Sequence, residues 1–209
     1  MPRSAPKMPA KLAESAFRLF GQRGFDAVTI DEIALQAGVT KGSFYSHYRS
    51  KQDVILAACR HYYRTYLRRV HAELAALIDP QQRLHRVVAY SVDTCVADDH
   101  NRLFTTEVFA LSLRDGDVRE SWSQFYDAVR ELYVGLLESA APTVTADLNR
   151  QRVDLMLAAM EGVKMRAAFD PSICDTAERL AITNGLMALL LDFTELSPTE
   201  PPSTVEGMP

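Results

Sequence analysis

Nowhere does the chain hold the run of about 18 apolar residues that a membrane-spanning helix needs. Its most apolar stretch, Leu186 to Leu191, is short and follows Asn184 and Gly185. The first residues, Met1-Pro2-Arg3-Ser4, lack the apolar segment of a secretory signal. Cysteine is scarce too: Cys59, Cys95 and Cys174 are odd in number and far apart, which argues against a disulfide framework and fits a reducing cytoplasm. Strand-like alternation is rare, and glycine and proline gather at a few points rather than every ten residues, so a β-sandwich or barrel is not expected. Catalytic signatures are missing as well. There is no nucleophile elbow, phosphate-binding loop or zinc-protease pair. Cys59 and His61 lie two apart on a predicted helix, hence on different faces, with no second pair to complete a metal site. No cofactor or metal is implied, and an enzymatic reading has nothing to stand on.

What remains is a helical chain with uneven charge. The net charge is −4, yet residues 1–51 carry eight Lys/Arg against four acids, leaving the rest strongly acidic. A basic head on an acidic body suits a protein that touches a polyanion with its first quarter only. A non-specific architectural DNA binder would be basic throughout, which a pI near 5.7 denies. Punctuation divides the chain into helices over about 9–23, 30–37, 40–48, 51–78, 81–98, 101–113, 117–139, 146–169 and 174–196. Asp79-Pro80 is expected to break the long fourth helix. Residues 197–209, rich in proline, are expected to be a disordered tail.

The second and third helices carry the functional signal. Thr29-Ile30-Asp31-Glu32 is a capping box opening one short helix, Gly38 closes it, and Thr40 caps the next. Two short helices around a glycine turn have the dimensions of a helix-turn-helix. The second of them is unusual in composition. Thr40, Lys41, Gly42, Ser43, Tyr45, Ser46 and His47 offer hydroxyls, a cation, rings with polar atoms and a glycine permitting close approach. Such groups bond base edges and phosphates in a major groove. Phe44 is expected to anchor the helix, and Tyr48 to be core rather than contact. Lys51, opening the next helix, is placed for a phosphate. Arg3, Lys7 and Lys11 are either phosphate contacts or solubilising charges.

Residues 11–58, KLAESAFRLFGQRGFDAVTIDEIALQAGVTKGSFYSHYRSKQDVILAA, resemble the DNA-binding domain of the tetracycline-repressor (TetR/AcrR) family, with the family pattern followed from Ala16 to Lys51. The resemblance implies an all-α fold of about nine helices. It would comprise a three-helix DNA-binding domain over 1–50 and an effector-binding and dimerisation domain over 51–196. It places Thr29, Thr40, Lys41, Gly42, Ser43, Tyr45, His47 and Lys51 at the DNA. It also implies a cytoplasmic homodimer that binds double-stranded operator DNA and answers to a small-molecule effector, as repressor or activator.

For that effector the residues suggest an aromatic, soft-sided pocket: Tyr90, Cys95, Phe104, Glu107, Phe109, Trp122, Phe125, Tyr126, Met156 and Met160. Ordinary core packing is the competing reading, and Glu107 is either a buried acid for a cation or a locally paired one. The last two helices have wide apolar faces. Leu155, Ala159 and Val163 on one, and Thr183, Met187 and Leu190 on the other, with Phe193 beyond, serve either a symmetry mate or the intrachain core.

Overall fold

The computed structural model describes residues 8–192; the expectations for Arg3, Lys7, Phe193 and the tail from 197 fall outside the described residues. Among the described residues there are nine α-helices and no strand. Helix α1 (Met8–Arg23), α2 (Ile30–Gln36) and α3 (Lys41–Tyr45) form the head. The body follows as α4 (Lys51–Leu74), α5 (Pro80–Ser91), α6 (Asp99–Ser112), α7 (Gly116–Ala140), α8 (Ala146–Ala167) and α9 (Thr176–Leu191).

The head folds around fully buried Leu12, Ala16, Phe20, Val28, Ile33 and Phe44. Burying each large side chain contributes about 1.5–3 kcal/mol, so Phe44 alone fixes much of the short α3. The turn between α2 and α3 is set by Gly38 at φ +67°. Its N–H bonds the Leu35 carbonyl, and the Val39 N–H bonds that of Ala34, both at 2.9 Å. This paired closure needs the left-handed conformation that glycine adopts without steric cost.

Two boundaries differ from expectation. Helix α4 stops at Leu74, before Ile78, and Arg83 from the next helix donates to the carbonyls of Leu74 and Leu77. Pro80 is the first residue of α5 rather than a mere breaker: Asp79 caps it by accepting the Gln82 N–H at 2.8 Å. The helix expected over 81–98 also divides, becoming π-helical over Val92–Ala97. The widening starts directly after Ser91, whose hydroxyl donates back to the Val87 carbonyl at 2.9 Å and disturbs the local ladder.

Head and body share one continuous core. Helix α1 packs on both α4 and α6. At the centre of that junction Phe104 of α6 is fully buried among Phe17, Phe25 and Tyr62, with ring centroids 4.9, 5.8 and 5.7 Å away. Edge-on aromatic contacts of this kind add about 0.5–1.5 kcal/mol each beyond area burial. The head is therefore packed directly on the body through α1.

Candidate nucleic-acid interface and body cavity

The capping box on α2 is present in both halves. Thr29 Oγ1 accepts the Glu32 N–H at 3.3 Å, and the Glu32 carboxylate accepts the Thr29 N–H at 2.7 Å. Glu32 also pairs with Arg23 at 2.9 Å. The Thr29 backbone and hydroxyl bonds, then Arg23, hold its carboxyl at a pKa of about 2. The Thr29 hydroxyl donates to Glu32 as well, so that side chain is already engaged within the chain. Thr40 caps α3 by accepting the Ser43 N–H at 3.2 Å.

Outward from α3 point Lys41, Gly42, Tyr45 and His47, all exposed, with Ser43 half-buried beside them. Tyr45 is 47% exposed and braced edge-on against buried Phe44, which fixes the direction of its phenol. Lys41 pairs with Asp31 of α2 at 2.9 Å, its pKa raised by that bond. Both partners are exposed, so the pair is a weak restraint that a phosphate can displace. At Gly42 a Cβ would meet nothing nearer than Thr40 Oγ1, at 3.8 Å. The fold itself does not demand glycine there; the missing side chain leaves room only for something outside the chain. Tyr48 is half-buried and donates to the Pro9 carbonyl at 2.9 Å. Lys51 departs from the expected outward pose: its ammonium lies 3.4 Å from the Asp26 carbonyl, beside the head–body junction.

In the body, α4, α7 and α8 enclose a small aromatic cavity of about 40 Å³. Of the residues expected at a ligand site, Trp122, Phe125, Tyr126, Met160 and Cys95 line it. Tyr90, Phe104, Glu107 and Met156 do not. Tyr90 packs against Tyr66, and Met156 is fully buried core. Glu107 serves the junction, accepting the Phe25 N–H at 2.9 Å across the end of α1. Phe109 lines a larger outer cleft of about 450 Å³.

Sequence reasoning passed over Tyr62, Tyr66, Ser91, Tyr133, Glu161 and Lys164, which also face the inner cavity. Tyr62 and Tyr66 stand four apart on α4, a spacing that could have shown them. At the cavity floor Ser91 Oγ lies 2.6 Å from the Tyr66 hydroxyl and 2.7 Å from that of Tyr133. Burial raises the pKa of both phenols. At its wall the Tyr126 hydroxyl donates to Glu161 at 2.9 Å, and Glu161 pairs with Lys164.

The residues expected at a dimer face divide. Leu155 is 39% exposed, and Ala159, Val163 and Met187 are half-buried. Thr183 and Leu190 are buried within the protomer, Leu190 completely, so they belong to the intrachain core. Thr183 spends its hydroxyl on the Arg179 carbonyl of its own helix.

Residues 12–58 match the family model of bacterial regulatory proteins, tetR family. That match spans the helix-turn-helix head and the start of α4, and this part of the chain is similar to tetR-family regulators. A 52-residue stretch is 44% identical to the HTH-type transcriptional regulator YerO of Bacillus subtilis, covering 25% of this chain and 18% of that protein. Over 186 residues it is 22% identical to the HTH-type transcriptional regulator BetI of Brucella suis, covering 89% and 92% of the two chains. Its fold is shared by a transcriptional regulator from Saccharomonospora viridis solved in complex with choline, at a TM-score of 0.75 and 21% identity, covering 86% and 94%. The head thus has the sequence of a tetR-type helix-turn-helix DNA-binding domain, and the relatives it matches are transcriptional regulators.

Proposed function

We propose that the protein is a homodimeric repressor that occupies a palindromic operator and is released when a small, largely apolar molecule enters the aromatic body cavity. The observation that carries the DNA assignment is α3, which exposes Lys41 and Tyr45, with His47 just beyond its end, beside Gly42, where the chain itself leaves room for a side chain. Ser43 and Thr40 border the same face, and Lys51 could join it only by leaving the Asp26 carbonyl. Thr29 supports the site as a cap.

The dimer reading rests on the outer faces of α8 and α9. Leu155, Met165, Phe169 and Leu180 are exposed large apolar residues there. Gly162 and Gly185 between them have open space where a Cβ would stand, which lets a second pair of helices approach closely. Two copies joined this way present two recognition helices to half-sites about 34–36 Å apart. The choline complex of the Saccharomonospora viridis relative supports a small-molecule occupant for the body.

The test is selection from a random oligonucleotide pool, with Lys41→Ala and Tyr45→Ala alongside. An enriched palindrome is expected, its affinity falling roughly 10³–10⁵-fold between 50 and 200 mM salt if six to ten phosphates are contacted. Both variants should bind it more weakly while keeping the wild-type fold. No enriched palindrome, or unchanged binding by both variants, refutes the assignment.

A further inference from the structure

Lys164 is an anomaly in the body. It lies on α8 with only 3% of its side chain exposed, in the wall that separates the inner aromatic cavity from the outer cleft. Its ammonium pairs with Glu161 and stands 5.9 Å from the centroid of the Trp122 ring. Glu161 is fixed in turn by the Tyr126 hydroxyl. These four side chains, Trp122, Tyr126, Glu161 and Lys164, are the ones the two spaces share. An aromatic face opposite a held carboxylate is a cation site, and here the chain fills it with its own ammonium.

We propose that Lys164 is a built-in competitor for the effector, and that the effector is an organic ammonium ion that takes its place against Trp122 and Glu161. The idea rests on reading the body as an effector domain, and it names the ligand class of that domain. A ligand that enters the inner cavity, rather than resting in the outer cleft, must displace Lys164. With Lys164 in position the inner cavity of about 40 Å³ holds no more than a few waters. Once its side chain swings outward, the cavity opens to the cleft of about 450 Å³.

Charge selects the class. A neutral ligand that pushed Lys164 out would leave the part-buried Glu161 carboxylate beside the aromatic rings with the Tyr126 hydroxyl but no counter-ion, a less favourable arrangement than one in which a cation replaces the ammonium. An anion would face that carboxylate and the negative faces of Trp122 and Tyr126. A cation alone restores both interactions while Lys164 regains solvent. The cleft's other charges do not reverse this preference: Arg130 is already paired with Asp127 and Asp154, leaving Arg119 at the rim.

Trp122 is the sole tryptophan, so its fluorescence reports the site directly. The full-length protein is titrated with phenyltrimethylammonium, its neutral isostere tert-butylbenzene, and benzoate. The cation should bind best. Lys164→Met should tighten its binding at least tenfold, and Glu161→Gln should weaken it by a similar factor. Because Lys164→Met leaves Glu161 unpaired, its melting temperature should fall and be restored by the cation more than by the neutral isostere. Preference for tert-butylbenzene or benzoate, or weaker cation binding by a folded Lys164→Met protein, overturns the proposal. Operator binding is measured in parallel, so the two readings fail separately. Cation binding without effect on the operator refutes the effector reading of the body, whereas operator binding with no cation bound by any variant refutes the displacement of Lys164 alone.

Discussion

Replacing Gly21 with alanine probes the contact through which the head is seated on the body. Gly21 is buried in α1, and a Cβ built on it would lie within 2.6 Å of His100 Nε2 and closer still to Nδ1 and Cε1. The His100 ring of α6 is wedged against that backbone and edge-on to Phe17, 4.7 Å between centroids, with its Nδ1 buried and without a hydrogen-bond partner among the described residues. Two effects oppose each other. Alanine is better than glycine in a helix interior by about 0.8–1.0 kcal/mol. Overpacking a wedged ring costs about 1–3 kcal/mol. The second should win, so Gly21→Ala destabilises by about 0–2 kcal/mol. In a His100→Ala background the obstacle is gone and the same change should stabilise by up to about 1 kcal/mol. The coupling, about 1–3 kcal/mol, is read from a double-mutant cycle by urea unfolding, with protein concentration held fixed because a dimer's stability depends on it. If Gly21→Ala stabilises equally in both backgrounds, the ring does not occupy that space and the reasoning fails.

Other outcomes follow from single observations. Ser91→Ala removes the shared partner of two buried phenols and should cost more than Tyr133→Phe. A stranded buried hydroxyl costs about 1–3 kcal/mol, whereas Tyr133→Phe leaves Ser91 bonded to Tyr66 and Val87. Urea midpoints in the reverse order would contradict that network. Burial pushes the Cys59 thiol to about 12 and the Cys95 thiol to about 11, so at pH 8 neither offers thiolate for attack. Ellman titration should label both only after unfolding, and fast native labelling of either would refute their burial. Glu32 is depressed in the folded state, so its contribution is complete above its ordinary value of 4.5 and is lost as pH falls toward about 2. The melting temperatures of wild type and Glu32→Gln should converge between pH 5 and pH 2.5, and a constant gap would argue against the Arg23–Glu32–Thr29 cluster.

Much of this protein is local, and for that reason legible in its residues. Caps and breakers act on neighbours within four positions. Thr29, Glu32, Gly38 and Thr40 therefore mark the starts of α2 and α3 and the turn between them from local sequence alone. The outward character of α3 was equally readable, since a helix of five residues with one large apolar side chain has only one face to bury. Where reading went astray, a distant partner decided. Helix α4 ends early because Arg83 supplies donors to its last carbonyls, and α5 turns π-helical after a serine that also serves two tyrosines from other helices.

The body shows the division most clearly. Aromatic and soft side-chain character singled out Trp122, Phe125, Tyr126 and Met160 as pocket candidates, and they do line the inner cavity. That character could not say which inward residues border a cavity. Met156 and Met160 lie one turn apart, yet only Met160 reaches the open space. Glu107, set in an apolar run, bonds the end of α1 instead of a ligand, and Leu190 packs within its own protomer rather than at an outer face. Lys164 carries no local signal that would single it out. Local sequence was enough for most helix starts, the caps and the exposed polar character of α3, each set by contacts a few residues long. Only the tertiary structure decided that a lysine would be buried against a tryptophan 42 positions away, because that depends on where α7 and α8 cross.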